Sequence, residues 1–280
     1  MYRLTTAIPD KCALTMPGTG LVIHTLEQYS ADLQDDVRAL FGFETSLAIA
    51  VVVPGSPADR AGLEAGDSIL AINGNPIRPA RAQEAGTSLR RDAIERDLVR
   101  LAPTDPLTLQ IVRGGTALEF RVEPETACRT RHEVRFGTSG LALSDGDTIQ
   151  FSDKFAGAAD DEALAVIAAH ELAHTALEHN RKLKAKGVNF GLLQGFGRNA
   201  REIRAAEDEA DRASVVILAA AGYNPAIAPA FWRGVGRKLG SGIFRTRTHA
   251  KPAERALRLD QEIARLRSTP SPASPDTPFR

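Results

Sequence analysis

Two histidines four residues apart inside an apolar run constrain this chain more than any other feature. The run Leu164-Ala165-Val166-Ile167-Ala168-Ala169-His170-Glu171-Leu172-Ala173-His174 contains no helix breaker, and its flanks extend a helical pattern over about 160–180. A helix this apolar is expected to be buried, and imidazoles placed in a core need polar partners. At i and i+4 both rings lie on one helix face, where they can hold a single metal ion. Glu171 follows the first histidine directly, so its carboxylate can face a water at that metal without binding the metal itself. Two imidazoles, a base and an open coordination position describe a catalytic zinc centre, one ion per chain, and such a centre requires a third protein ligand.

One route to that ligand takes a glycine and a histidine three and six residues beyond the second histidine. The chain has Leu177 and Asn180 there, which closes the route, and His179 reads as a surface or capping residue. The other route takes a glutamate from a separate helix. Glu207-Asp208-Glu209-Ala210-Asp211 begins 33 residues after His174, in a second long helical pattern over about 199–221. Glu207 and Asp211 are four apart and share a face, so Glu207 can bind the metal while Asp211 accepts the outer N–H of a ligand histidine. Glu209 points elsewhere. Read alone, the same segment is also an ordinary charged helix face. Residues 188–197, between the two helices, are rich in glycine and apolar side chains, which suits a movable cover, a contact with a membrane surface or partner, or a plain buried connector.

The N-terminal half has a different texture. A short apolar strand over 21–23 and a helical pattern through Leu33, Val37, Leu40 and Phe41 precede an aliphatic strand over 47–53. In Pro54-Gly55-Ser56-Pro57-Ala58-Asp59-Arg60-Ala61-Gly62-Leu63, Ser56 can cap a short helix, Pro57 suits its first turn and Gly62 ends it. A strand over 69–72 then meets the tight-turn signal Asn73-Gly74, a helix over 91–101 follows, and a hairpin joins 107–112 to 117–122 through Gly114-Gly115. Further on, a strand over 148–152 just before the metal helix is expected to be an edge open to an extended substrate. Helices near Pro225 and over 252–266 complete the chain before a tail of Ser, Thr and Pro. The expected fold class is α+β, organised as an arm with a helix over 1–39, a strand-and-helix domain over 40–125, a mainly helical domain over 126–266 and a disordered tail over 267–280.

The charge balance, 35 Lys+Arg against 35 Asp+Glu, argues against a nucleic-acid partner. No stretch approaches the roughly 20 apolar residues that cross a bilayer, although contact with a membrane surface stays open. Cys12 and Cys128 are the two cysteines, neither inside an apolar run. An even count favours a bridge between them, and with it an oxidising compartment, over two unpaired buried thiols.

The wording PGSPADRAGLEAGDSILAINGNPI closely resembles the bacterial type of PDZ domain over roughly 40–125, most specifically over 54–74. PDZ domains add a peptide strand to a sheet edge and hold its terminal carboxylate in a backbone nest. The resemblance places that nest, and a peptide ligand, at Phe41, Gly42 and Phe43 in the sequence Leu40-Phe41-Gly42-Phe43; Gly42 can equally terminate the preceding helix. Residues 130–265 resemble the zinc metallopeptidases that include HtpX, BepA, the mitochondrial inner-membrane Oma peptidase and the CAAX prenyl endopeptidases, which are gluzincins. The matching pieces are the run from Asp161 to His174, the Glu207-x-x-Ala210-Asp211 element, Ala221-Gly222-Tyr223-Asn224-Pro225, and Thr248-His249 with Arg255. The family's Thr-His-Pro is here Thr248-His249-Ala250, with Pro252 displaced.

This resemblance implies zinc held by His170, His174 and Glu207, Asp211 behind a ligand, and catalysis by Glu171 with His249 near the metal or the developing oxyanion. Read without it, His249 also fits the cap region of the helix that follows. The function to be expected is a zinc-dependent endopeptidase acting on protein or peptide substrates, with the PDZ-like module recognising them or regulating cleavage. The alternative is a peptide-binding adaptor whose zinc site is latent or structural. A bacterial periplasmic location is the expectation, with the cytoplasm as its alternative.

Overall fold

The computed structural model describes residues 1–79, 85–138, 140–188, 197–236 and 250–268. The fold is α+β, a unit of strands with short helices followed by a mainly helical one. Contacts gather 15–127 into the first unit, while the second draws on 3–14 together with the chain from Cys128 onward. His249, residues 189–196 and the tail from 269 lie outside the described residues.

The chain opens with α1 (Tyr2–Thr6). In the strand unit β1 (Thr15–Gly18) pairs with β8 (Glu125–Cys128). The main sheet runs β2 (Leu21–Thr25), β3 (Leu47–Val52), β4 (Ser68–Ile72), β6 (Leu107–Arg113) and β7 (Thr116–Val122), with the short β5 (Asn75–Pro76) beside β4. Its neighbours are antiparallel, so one face alternates inward. Leu107, Leu109 and Ile111 enter the core with Leu47, Ile49 and Ile69. Helices α2 (Gln34–Phe41), α3 (Pro57–Ala61) and α4 (Leu89–Leu98) complete the unit. Ser56 caps α3 by accepting from the Asp59 amide, and Gly62 ends it in the left-handed region, as the sequence predicts. The strand assigned from sequence to an N-terminal arm is β2, which pairs with β3 in this sheet.

In the helical unit the first residues are structural. Leu4 and Ile8 sit in the core, and a disulfide ties Cys12 to Cys128 across a sequence separation of 116. A bridge closing so long a loop removes freedom mainly from the unfolded chain, so the double variant Cys12→Ser, Cys128→Ser is expected to lose about 2–4 kcal/mol of stability. A urea midpoint equal to that of the parent would contradict this.

A three-stranded sheet follows in the order β10 (Ala142–Ser144), β11 (Thr148–Ser152), β9 (Arg131–Arg135). Here the sequence expectation is corrected. β11 is the central strand, antiparallel to β10 and parallel to β9, so its main-chain groups are taken on both sides and no substrate can pair with it. The neighbours escaped notice because β9, Arg131-His132-Glu133-Val134-Arg135, is rich in charge and β10 is only three residues long.

Then come α5 (Asp153–Ala158), α6 (Asp161–Ala176), α7 (His179–Ala185), α8 (Gly197–Ala220), α9 (Ile227–Arg233) and α10 (Pro252–Ser268). Asp160 caps α6 through the Ala163 amide at 2.8 Å. Helix α6 is shorter than its sequence pattern. It stops at Ala176, and Glu178, at φ 54°, turns the chain through the left-handed region into α7.

Candidate metal centre and PDZ domain

Ala169 and Ala173 of α6 and Ala210 of α8 are fully buried. Small side chains at a helix contact let the axes approach closely, which brings carboxylates on α8 within reach of imidazoles on α6. His170, His174 and Glu207 each offer an atom within 4.8 Å of the others. The Nε2 atoms of His170 and His174 stand 3.2 Å apart, with Glu207 oxygens 3.3 Å from the first and 3.6 Å from the second. Ligands at zinc distances in a tetrahedral set stand roughly 3.3 Å from one another, close to the spacing of the two Nε2 atoms and to the approach of one Glu207 oxygen to each, so the donor set is of a kind that fits the ion.

The electrostatics agree. Burial disfavours the charged form of His170, yet hydrogen bonds to Asp211 and Glu207 raise its pKa to about 10. Burial lowers His174 to about 3. The partly buried Glu207 carboxylate thus faces the two Nε2 atoms, while the buried Asp211 carboxylate stands behind His170 at Nδ1.

Behind the ligands the structure places partners for both outer nitrogens. Asp211 Oδ1 lies 3.0 Å from His170 Nδ1, as the i, i+4 spacing from Glu207 predicts. Burial alone would raise the Asp211 carboxyl, but the Arg255 guanidinium and His170 hold it well below the usual carboxylate range. Arg255 donates Nε–H to Asp211 at 2.8 Å and makes a second bond to the other oxygen. Its guanidinium lies over the Trp232 ring, 3.6 Å from the centroid, so α10 and α9 both contribute to the site's floor. The sequence reading gave Arg255 only as a matching residue, without a role.

His179 departs most from expectation. Predicted to be a surface or capping residue, it is 3% exposed. Its Nδ1 lies 2.9 Å from His174 Nδ1 and its Nε2 lies 3.2 Å from Glu209 Oε2, so Glu209 also faces the site. The left-handed Glu178 is the cause, since a continuous helix would have carried His179 to another face.

In the strand unit Gly42 terminates α2 at φ 68°, the second of its two readings. Its N–H and that of Phe43 both reach Arg38 O, and the Glu44 N–H reaches Ser68 Oγ at 2.7 Å. A peptide carboxylate at Phe41, Gly42 and Phe43 would have to displace those acceptors. Phe41 and Phe43 instead pack on His24 of β2, at ring-centroid distances of 5.3 and 4.3 Å, where burial lowers the His24 pKa to about 4. Among the described residues no strand pairs with the outer edge of β2, and α4 packs beside it.

Residues 49–113 match the PDZ domain family. Protease RseP of Yersinia pestis is 35% identical over 103 residues, 35% of this chain and 20% of that protein, and the match lies over the PDZ region. The chain therefore spans about a fifth of that relative's length. Among solved structures, the HtrA3 PDZ domain bound to a phage-derived ligand is 24% identical at a TM-score of 0.29, covering 40% of this chain and 88% of that one. The HtrA-type protease AlgW with a decapeptide is 22% identical at a TM-score of 0.29, covering 39% and 29%.

The PDZ domain thus includes β3 through β6, and the open edge of β2 is continuous with its sheet. The sequence resemblance places a peptide site at residues 41–43; the edge strand β2 carries the glycine-led run Gly20-Leu21-Val22-Ile23. Among the described residues no helix is long and apolar enough to cross a membrane.

Proposed function

We propose that the helical unit is a zinc-dependent endopeptidase of the gluzincin type, akin to the HtpX, BepA, Oma and CAAX prenyl endopeptidases, and that the PDZ domain recognises substrate or regulates cleavage. The observation that carries this reading is the set of His170, His174 and Glu207 donor atoms at zinc-compatible separations, with Glu171 between the two histidines. His170 and His174, through Nε2, and Glu207, through its carboxylate, would hold the zinc. When bound, zinc supplies Lewis-acid polarisation of the scissile carbonyl and of the attacking water. Glu171 would act as the general base that accepts a proton from the attacking water and as the acid that returns it to the leaving amine. His249 stabilises the tetrahedral oxyanion, a role that rests on the family resemblance.

An extended substrate pairs with the outer edge of β10, the edge nearest the metal helix, where Ser144 Oγ meets Thr175 Oγ1 at 3.1 Å. Peptide binding by the PDZ domain is assigned to the β2 edge beside α4. The Cys12–Cys128 disulfide supports an extracytoplasmic location, since such bridges persist in oxidising compartments.

A second reading makes the chain a PDZ adaptor with a latent or structural zinc site, and the PDZ match favours it. Glu171 speaks for the enzyme, because a purely structural site has no use for a base beside its ligands. Metal analysis combined with casein digestion separates the two. The expected result is one zinc per chain, cleavage abolished by a chelator, and a Glu207→Ala variant that loses zinc in a dialysis the parent withstands. Stoichiometric zinc with no turnover would favour the adaptor, and retention of zinc by Glu207→Ala would remove the third ligand.

A further inference from the structure

We infer that His179, backed by Glu209, is a positioning residue that fixes which nitrogen of His174 faces the metal. The inference rests on the zinc-site reading above and extends it to two side chains that the ligand set does not include. His174 points Nε2 toward His170 Nε2 and Glu207 and turns Nδ1 toward His179 Nδ1 at 2.9 Å. Two ring nitrogens that close share one proton, and an imidazole that gives its Nε2 lone pair to a metal carries its proton on Nδ1. His174 Nδ1–H is therefore the donor and His179 Nδ1 the acceptor. That assignment puts the His179 proton on Nε2, where Glu209 Oε2 accepts it at 3.2 Å. One arrangement of protons satisfies all three residues.

The backbone gives an independent sign that this contact matters. Glu178 and Asn73 are the described non-glycine residues with positive φ. Asn73 sits in an Asn-Gly turn, where that conformation is ordinary. Glu178 adopts it between two helices, and such strain persists where the surroundings enforce it. Its result is to break the path of α6 and deliver His179 under His174. His170 is served by a different device, Asp211 with Arg255 behind it. Each ligand histidine thus has its own buried acceptor, one reached from α8 and α10, the other from α7 and α8.

Outer partners of this kind typically change metal affinity by about 10- to 100-fold when removed. The test compares His179→Leu, which keeps bulk but removes the acceptor, with His179→Asn, whose Oδ1 can stand where Nδ1 stood. Zinc dissociation constants come from chelator competition on the full chain, and thermal unfolding is followed on the chelator-treated proteins. His179→Leu is expected to bind zinc about 10- to 100-fold more weakly, with His179→Asn restoring most of the loss and chelator-treated melting temperatures close to the parent's. Equal losses in both variants, or no loss in either, would overturn the inference.

A measurement on the parent protein covers the case in which a variant does not fold. Nitrogen-15 NMR of the histidine rings in the zinc-loaded chain should show His174 protonated at Nδ1 and His179 at Nε2, and the opposite tautomer of His179 would also overturn it. If the parent binds no zinc, the metallopeptidase reading fails; if it binds zinc and His179→Leu binds equally well, this inference alone fails.

Discussion

Glu171→Gln is expected to keep one zinc per chain and to lose protein hydrolysis by about 10²–10⁴-fold. The amide matches the carboxylate in size but cannot accept a proton at neutral pH. Glu171 is not among the three donors that converge, so exchanging it leaves His170, His174 and Glu207 in place. It sits on α6 directly after His170 and is close enough to Arg255 to feel its charge, so in the proposed mechanism one helix presents two ligands and the base. Digestion of an unfolded protein such as casein, with metal content measured on the same sample, reads both halves of the expectation. A variant that cleaves at the parent's rate would sink the proposed mechanism, whereas loss of zinc would show that Glu171 has a structural part.

The second large effect is expected at Arg255. This guanidinium is buried, doubly bonded to the Asp211 carboxylate and stacked on Trp232. Arg255→Met keeps much of the packing against the ring but leaves the buried Asp211 charge with only His170 to answer it. Removing one member of a buried ion pair usually costs about 3–5 kcal/mol, because the survivor stays desolvated without compensation. Pairing Arg255→Met with Asp211→Asn should recover a large part of that loss, since the uncompensated charge goes with its partner. Denaturant unfolding of the parent, both single variants and the double variant measures the coupling. Additive losses would mean that the pair is not the unit of stability proposed. Zinc affinity should fall with either single change, because Asp211 orients His170.

Much of the site could be read from spacing alone because helical geometry is local. His170 and His174 share a face by their separation, and Glu207 with Asp211 does so again, leaving only the approach of the two helices to be supplied by the fold. The caps at Ser56 and Gly62 were legible for the same reason, since each rests on contacts within a turn or so of chain. What escaped depends on distance in sequence. Arg255 is 44 residues from Asp211, and nothing in the local wording of either marks the pair. The neighbours of β11 are set by tertiary pairing, so a short strand with a good pattern passed for an edge. His179 was misplaced because the turn before it uses a glutamate at positive φ, and sequence signals for that conformation point to glycine or asparagine. The corner at Gly42 was ambiguous on the same grounds. A glycine after a helix announces its end whether or not the amides that follow are left for a ligand.

The disulfide has one more consequence. Its two cysteines bring Cα atoms to 5.5 Å at the points where the chain leaves the helical unit after Leu14 and re-enters it at Cys128. In topological terms the PDZ-bearing stretch is a cassette inserted into one loop of the helical unit, with entry and exit side by side, the arrangement under which domain insertions are best tolerated. Synthesis order makes this matter. The ribosome releases the whole cassette before most of the helical unit exists, so the first dozen residues must wait, with Cys12 unbridged, until the partners of Leu4 and Ile8 emerge more than a hundred residues later. The bridge therefore joins the two ends of a split unit across the whole of the inserted stretch.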